Sequence, residues 1–354
     1  MKAKANGRGR DRFDLSRHAK ANARTLLLSG QGVEMDAIGG HFEIRQDGGR
    51  PLKLPVSGVR QIVVERNAGL RSRAMRLALR CGIPVSFFGR CGELLGHSSP
   101  PLPPRIDERI AQYGVYGDGR RRLGLARRIV QSKIESCLSV LESGLASAEC
   151  SLRQAVRRLQ QSHRDAGLAR TLESLRGIEG SGARTYFDVL AGRLHGNQPF
   201  AGRNRRPPRD PVNSLLSYGY CVLVRDLAGK LESIGLDPYV GYLHEAGYGS
   251  PALALDLAEP LRAPVIDRIV IGLLEELDDE AFSFSGDGDV ILQDQAKKLF
   301  FERYEGIVRI RDATQTAHPG GSLLLDVAEA FSAALTKGFA CWKPVPMSCL
   351  HHLS

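Results

Sequence analysis

No stretch of this 354-residue chain approaches the ~20 consecutive apolar residues of a membrane-spanning helix. Its first 24 residues carry basic side chains with no apolar run of about 7–15 residues behind them. No export signal is therefore expected, and the cytoplasm is the expected location. Paired CxxC cysteines are also missing. The seven cysteines (Cys81, Cys91, Cys137, Cys150, Cys221, Cys341 and Cys349) are scattered and odd in number, which argues for reduced thiols over a disulfide framework. Nucleotide machinery is absent too: there is no GxxxxGK[ST] loop, no GxGxxG after a strand, and no GxSxG, HExxH or EF-hand pattern. A reaction driven by ATP or NAD has no support in the sequence.

What is present is positive charge. Lys and Arg number 49 against 39 Asp and Glu, a net charge of +10, so polyanions such as DNA, RNA or an acidic surface are the natural partners. Apolar residues at 42% and charged residues at 25% are ordinary for a globular protein, so the chain as a whole is not disordered. At about 100–200 residues per domain, the length suggests two domains, or one with an appendage.

The pattern changes twice along the chain. Residues 1–24 hold eight Lys and Arg against Asp11 and Asp14, and read as a flexible basic arm or as a solvated leader without a partner. Residues 25–97 read as a small β-rich domain. Short β-type runs at 25–28, 41–45, 52–56, 61–64, 84–88 and 93–96 are separated by turns such as Gly39-Gly40, with one helix over 69–81. The proline-rich stretch 98–104 (SSPPLPP) is an extended linker. Beyond it the period becomes 3.6, and 105–313 reads as an α-helical domain. Over 123–145, Leu125, Ile129, Ile134, Leu138, Leu141 and Leu145 form an apolar stripe, with Arg127, Arg128 and Lys133 expected to face elsewhere. Asp210-Pro211 is an N-cap followed by proline at the first helical position, and Gly235 a C-terminal stop. Further helices are expected over 262–277, 294–310 and 323–335, the last within an extension spanning 314–354. The fold class is therefore α+β: a small N-terminal β-rich domain, then a larger all-α domain.

Three segments hold residues that could do chemistry. In GIEGSGARTYF (177–187), Glu179 stands at the glycine-rich start of a helix, where it could merely complement the helix dipole. The second ends in Tyr242-Leu243-His244-Glu245, and His244 could equally be a satisfied structural histidine. In LALDLAEPLR (253–262), Asp256 and Glu259 lie three apart and share a helical face. Leucines flank Asp256, so these acids need partners, and Arg262 and Arg268 are candidates. Between the first two segments, FAGRNRRPPRDPVN (200–213) is an extended loop holding Arg203, Arg205, Arg206 and Arg209. Guanidinium suits bidentate phosphate contact, although a solvated loop would read the same way.

Taken in order, GIEGSGARTYF, RRPPRDPVNSLLSYGY, GLDPYVGYLH and LALDLAEPLRAPVIDRIV resemble the CRISPR spacer-acquisition integrase family, the catalytic adaptation subunit "Cas-one". LLLSGQGVEM, LPVSGVRQIVV and GIPVSFFGRCGELLG extend the resemblance through the amino-terminal half, so that it covers most of residues 26–310. It implies an N-terminal β-rich domain and a helical catalytic domain. It also implies a divalent metal, Mg²⁺ or Mn²⁺, held by Glu179, His244 and Glu259, with Asp256 at a further acidic active-site position and Arg262 near the DNA phosphate. A homodimer, DNA as substrate, and a small second adaptation protein ("Cas-two") follow from it as well. One departure is Lys133-Ile134-Glu135-Ser136-Cys137, where the family helix usually reads KI-x-N-Q.

The implied chemistry is self-consistent. Two carboxylates and a neutral imidazole neutralise a divalent ion and leave coordination positions for water and a phosphate oxygen. Oxygen ligands favour Mg²⁺ or Mn²⁺, and the imidazole favours Mn²⁺. Attack of a DNA 3′-hydroxyl on a repeat phosphodiester, with a 3′-oxygen leaving, exchanges one phosphodiester for another and needs no ATP. With water in place of the hydroxyl, the same site is an endonuclease. The alternative is a non-catalytic basic nucleic-acid-binding scaffold whose acids only form ion pairs. A weaker idea is a zinc site in the tail built from Cys341, Cys349, His351 and His352. If the arginine loop contacts phosphates, Arg205→Ala combined with Arg206→Ala lowers the magnitude of the DNA-binding salt slope by about 1–2. An unchanged slope removes the loop from the DNA footprint.

Overall fold

Two Gly residues at positive φ, Gly39 (58°) and Gly40 (77°), close the first hairpin, the geometry a two-residue type I′ turn requires. The computed structural model describes residues 24–46, 49–65, 68–89, 94–98, 105–143, 150–194, 200–204, 207–245, 247, 249–285, 288–308, 323–339 and 342. Two units separate at residue 101, Met1–Pro101 and Leu102–Ser354. Expectations for residues 1–23, for most of the proline-rich linker and for the tail cysteines and histidines fall outside the described residues.

The first unit orders β1 (Arg24–Leu28), β2 (Val33–Ile38), β3 (His41–Gln46), β4 (Leu52–Pro55), β5 (Val59–Glu65), β6 (Gly69–Leu70), α1 (Ser72–Arg80), β7 (Val85–Phe88) and β8 (Leu94–Ser98). They form two four-stranded sheets, β4-β3-β2-β6 and β1-β5-β7-β8. In the second sheet β1, β5 and β7 run parallel and β8 pairs antiparallel. Leu28, Met35, Phe42, Ile62 and Val85 share one core with Ala74 and Ala78 of α1. Strand β2 was not expected from the sequence, because Glu34 and Asp36 interrupt its apolar pattern. The chain supplies the missing partners from just before α1 and from its first turn: Arg71 donates to Glu34 at 2.8 Å, and Arg73 to Asp36 at 2.6 Å.

The second unit is helical: α2 (Ile106–Gly117), α3 (Gly119–Ser143), α4 (Cys150–Leu168), α5 (Leu172–Arg193), α6 (Pro211–Ser233), α7 (Ala252–Leu261), α8 (Arg268–Leu274), α9 (Asp294–Val308) and α10 (Leu323–Lys337). A short hairpin of β9 (Phe282–Phe284) and β10 (Val290–Leu292) precedes α9. The cap of α6 is as the sequence suggests: Asp210 accepts from the Asn213 amide at 2.7 Å, Pro211 opens the helix, and Gly235 beyond its end has φ 85°. Buried residues cover most of α6, which makes it the central helix. In α10, Leu323, Leu324, Val327, Ala328 and Phe331 belong to the same core. Helices α2 and α4 were not anticipated.

Three expectations change. Glu179 is not at a helix start. Helix α5 begins at Leu172, its amides capped by Thr171, whose hydroxyl accepts from Ser174 N at 3.1 Å. The helix expected over 262–277 is instead a π-helical segment, Arg262–Asp267, followed by α8. Pro260 and Pro264 lack amide hydrogens, so the regular ladder cannot run through them, and a wider turn is the outcome. Lys133 does not face away from the apolar stripe but is buried. Among the described residues, no helix is long and apolar enough to cross a membrane.

Gly219 shows how tightly α6 is set. A Cβ there would stand 2.5 Å from Ile266 Cγ2 and 2.9 Å from Phe300 Cε2. Gly219→Ala is expected to cost about 1–3 kcal/mol in urea unfolding. A change within about 0.5 kcal/mol, the scale of an ordinary surface substitution, would contradict this packing.

Candidate active site

Helix α7 carries an acid pair on a buried face. Asp256 is fully buried and Glu259 is 3% exposed, in a segment whose other side chains are mostly apolar. Desolvating a carboxylate is costly unless hydrogen bonds or opposite charge replace water. The two acids meet that need in different ways.

Asp256 takes backbone amides. Its Oδ2 accepts from Tyr242 N (2.5 Å) and Leu243 N (3.0 Å), and Oδ1 accepts from His244 N (3.0 Å). The carbonyls of the same loop are also engaged. Arg122 of α3 donates to Tyr242 O at 3.1 Å, and Arg176 of α5 donates twice to Leu243 O, at 3.0 and 2.8 Å. An irregular, partly buried segment thus has its polar backbone satisfied by side chains from three helices. Gly241 lets it approach α7: a Cβ would fall 2.8 Å from both the Ala252 carbonyl carbon and the His244 carbonyl oxygen, backbone atoms with little freedom to yield.

The fourth contact of Asp256 is His244 Nδ1, at 2.7 Å. Facing a carboxylate, that nitrogen carries the proton in the neutral ring, and Nε2 presents its lone pair. Nε2 lies 3.8 Å from Glu259 Oε1. Burial pushes the imidazole pKa down, but the hydrogen bond and charge of Asp256, with Glu259 behind, raise it above its ordinary value overall.

Glu259 takes charges. Its Oε1 is 2.9 Å from Arg262 Nη1, one turn on, and its Oε2 is 2.7 Å from Lys133 Nζ of α3. Burial alone would raise the Glu259 pKa, but Arg262, Lys133 and His244 outweigh it and lower the carboxyl to about 2. Apart from its ion pair with Lys133, the buried Oε2 has no hydrogen-bond partner. The same ammonium bonds to Glu179 Oε1, so one cation touches both carboxylates. Burial pushes the Lys133 pKa down, yet Glu259 and Glu179 raise it overall, which keeps the ammonium charged.

The structure therefore brings Glu179, His244, Asp256 and Glu259 together from α5, the loop before α7, and α7 itself. Among the described residues, no group of three His, Cys, Asp or Glu side chains is arranged as it stands to hold a metal ion. Asp256 does not pair with Arg268. Lys133 was missed as a member of the cluster, although a signal existed. Leu125, Ile129, Lys133, Cys137 and Leu141 form an unbroken i+4 ladder on α3, and all five are buried. A lysine within such a ladder needs anions on the facing helices.

The arginines divide. Arg262 is committed to Glu259, and its guanidinium lies 4.8 Å from the Tyr220 ring centroid. Arg203 turns inward, donating to Asn213 Oδ1 (2.7 Å) and Ser217 Oγ (3.0 Å), 5.4 Å from the same ring. Arg209 is exposed, while Arg205 and Arg206 lie outside the described residues. The Tyr220 hydroxyl donates to Asp267 Oδ1 at 2.7 Å. Asp267 is 1% exposed, and burial raises its pKa to about 6, against the pull of Tyr220.

Fold and site together define a protein whose helical half sets acids and an imidazole beside a lysine and an arginine, a group suited to charged oxygen substrates. Residues 26–306 match the family model described as CRISPR associated protein Cas1. The chain is 36% identical over 286 residues to CRISPR-associated endonuclease Cas1 1 of Thermus thermophilus, covering 79% of this chain and 85% of the relative. Among solved structures, a casposase bound to integration product aligns with a TM-score of 0.75 at 22% identity, covering 91% of this chain and 93% of that one. A chain of a Cas6-RT-Cas1–Cas2 complex aligns with a TM-score of 0.76 at 22% identity, covering 90% of this chain and 35% of that one. This chain belongs to the CRISPR-associated Cas1 family.

Asp267 gives the site a testable pH signature. Its folded pKa of about 6 stands above the ordinary 3.8, so the folded state binds the proton more tightly than the unfolded state. Its contribution to stability falls as pH rises from about 4 to about 6 and stays at its lowest above that. Asp267→Asn lacks this slope. The unfolding free energy of the variant relative to the unsubstituted protein is expected to rise across that window in urea titrations. A relative stability that falls with rising pH would contradict the assignment.

Proposed function

We propose that this chain is a divalent-metal-dependent DNA endonuclease and integrase of CRISPR adaptation. It inserts foreign DNA fragments as new spacers by 3′-hydroxyl attack on repeat phosphodiesters. The supporting observation is the convergence of Glu179, His244 and Glu259 from separate parts of the sequence, with His244 oriented by Asp256. An imidazole that gives one N–H to a carboxylate and leaves the other nitrogen open is the usual arrangement of a metal-ligating histidine.

The donor set fits a hard divalent ion. Glu259 Oε2 is buried and accepts no hydrogen bond, and both carboxylates already share one cation, Lys133. Glu179, Glu259 and the Nε2 of His244 are the groups that would hold Mg²⁺ or Mn²⁺. Such an ion, when bound, orients an oxygen nucleophile and takes up negative charge developing at phosphorus. The chain's own residues do the rest. Asp256 fixes the tautomer and direction of His244. Arg122 and Arg176 pin the loop that carries it. Arg262 keeps Glu259 ionised and places positive charge beside the carboxylates, where a phosphate would otherwise be repelled. Arg209, with Arg205 and Arg206, supplies phosphate contacts along the bound DNA.

The working form we propose is a cytoplasmic homodimer assembled with a small Cas2-type protein, with prespacer and repeat DNA as substrates. Family membership supports this, as does the shared fold with the chain of the Cas1–Cas2 complex.

Glu179→Ala and His244→Ala are each expected to abolish Mn²⁺-dependent plasmid nicking and strand transfer, with the circular dichroism spectrum unchanged. Activity retained by either folded variant would remove that residue from the chemistry. Activity retained by both would favour the non-catalytic scaffold.

A further inference from the structure

Lys133 occupies a place that its helix would otherwise give to an apolar residue. Along α3 its neighbours in the i+4 ladder are Ile129 and Cys137, both buried. Only 11% of the lysine side chain is exposed, and its ammonium contacts Glu179 and Glu259 together. The pair with Glu259 is a 2.7 Å ion pair to a buried oxygen that has no further hydrogen-bond partner. The ammonium thus bridges the two carboxylates, hydrogen-bonded to Glu179 and paired by charge with Glu259, a position that another cation can take.

The charges around it explain why exchange matters. Two carboxylates, Glu179 and Glu259, face two permanent cations, Lys133 and Arg262, while Asp256 is met by backbone amides and His244. The group is close to balance as it stands. A divalent ion added to it would leave excess positive charge in a largely desolvated region, which is costly. One cation has to withdraw. Arg262 is poorly placed to do so, since it is buried, bonded to Glu259 and stacked near Tyr220. Lys133 hangs from a flexible four-carbon stem and carries a compact charge.

We propose that Lys133 is the resident cation of this cluster: it holds Glu179 and Glu259 together in the ion-free protein and is displaced when a divalent ion enters. The inference rests on the metal-binding reading above. It adds that ion affinity is set by competition with a side chain of the protein itself, so that the carboxylates stay converged without an ion.

The test is a Mn²⁺ titration of the full-length chain, followed by calorimetry and by the paramagnetic signal of free Mn²⁺, with no DNA present. Lys133→Met is expected to bind Mn²⁺ about tenfold or more tightly than the unsubstituted protein, since a competing charge has gone. Its melting temperature without ion is expected to drop and to recover with Mn²⁺ by more than that of the unsubstituted protein. Lys133→Gln, polar but uncharged, should behave alike and serves if the Met variant does not fold. In the unsubstituted protein, Lys133 is expected to resist a small amine-acylating reagent without ion and to react faster at saturating Mn²⁺, read by peptide mass spectrometry. Unchanged or weaker Mn²⁺ affinity in the folded variants, or Lys133 reactivity indifferent to Mn²⁺, overturns the displacement while leaving the metal reading intact. No Mn²⁺ uptake by any of the proteins ends the metal reading and this inference together.

Discussion

The Glu259 carboxylate is surrounded by helices that would reject it were it alone. Its 3% exposure leaves almost no water to stabilise the charge. Arg262, Lys133 and His244 replace that water, and each comes from a different piece of chain: the π-helical turn, α3 and the loop before α7. Removing Arg262 or Lys133 would leave charge uncompensated in a low-dielectric region, an error far larger than a lost surface ion pair. The helical unit has to bring these segments together for α7 to be buried at all. Packing of the core and assembly of the site are thus one event, and the same burial that drives folding sets the electrostatics of the cluster.

The π-helical turn extends this logic to a second layer. At its start Arg262 pairs with Glu259 one turn back, and at its end Asp267 meets the Tyr220 hydroxyl. Tyr220 stands near two guanidinium groups, those of Arg262 and Arg203, and Arg203 in turn is tied to Asn213 and Ser217 near the start of α6. Cation–π contacts of this kind keep arginine charge in place without consuming its hydrogen-bond donors. An interior of aromatic and guanidinium groups supports the acids from behind.

Much of this was legible in the sequence because the chemistry breaks the local pattern. Acids between leucines in 253–259 had to find partners, and the Asp210-Pro211 pair announced the start of α6. Other features were hidden for physical reasons. Glycines at 177, 180 and 182 suggested a helix terminus, yet α5 runs through them, because Leu175, Tyr186 and Leu190 bury its apolar side. Strand β2 was masked by acids whose arginine partners come more than thirty residues later. Lys133 was read by its charge and assigned to the outside, when its position in the ladder outweighed its type. The π-helical turn depends on two prolines whose effect on pitch cannot be read without knowing what the turn packs against.

The way Asp256 holds the histidine loop has a consequence for how this segment can vary. Besides the His244 ring nitrogen, the carboxylate meets main-chain amides at 242, 243 and 244, groups that nearly every amino acid supplies. Side-chain identity at 242 and 243 is therefore irrelevant to the clasp itself and is constrained only by other duties, such as the burial of Tyr242, whereas the imidazole at 244 adds a contact of its own. Proline is the exception, since it has no amide hydrogen to offer. The loop can accept many spellings around its histidine and still present the ring at the same angle, provided that acid and that absence of proline are kept.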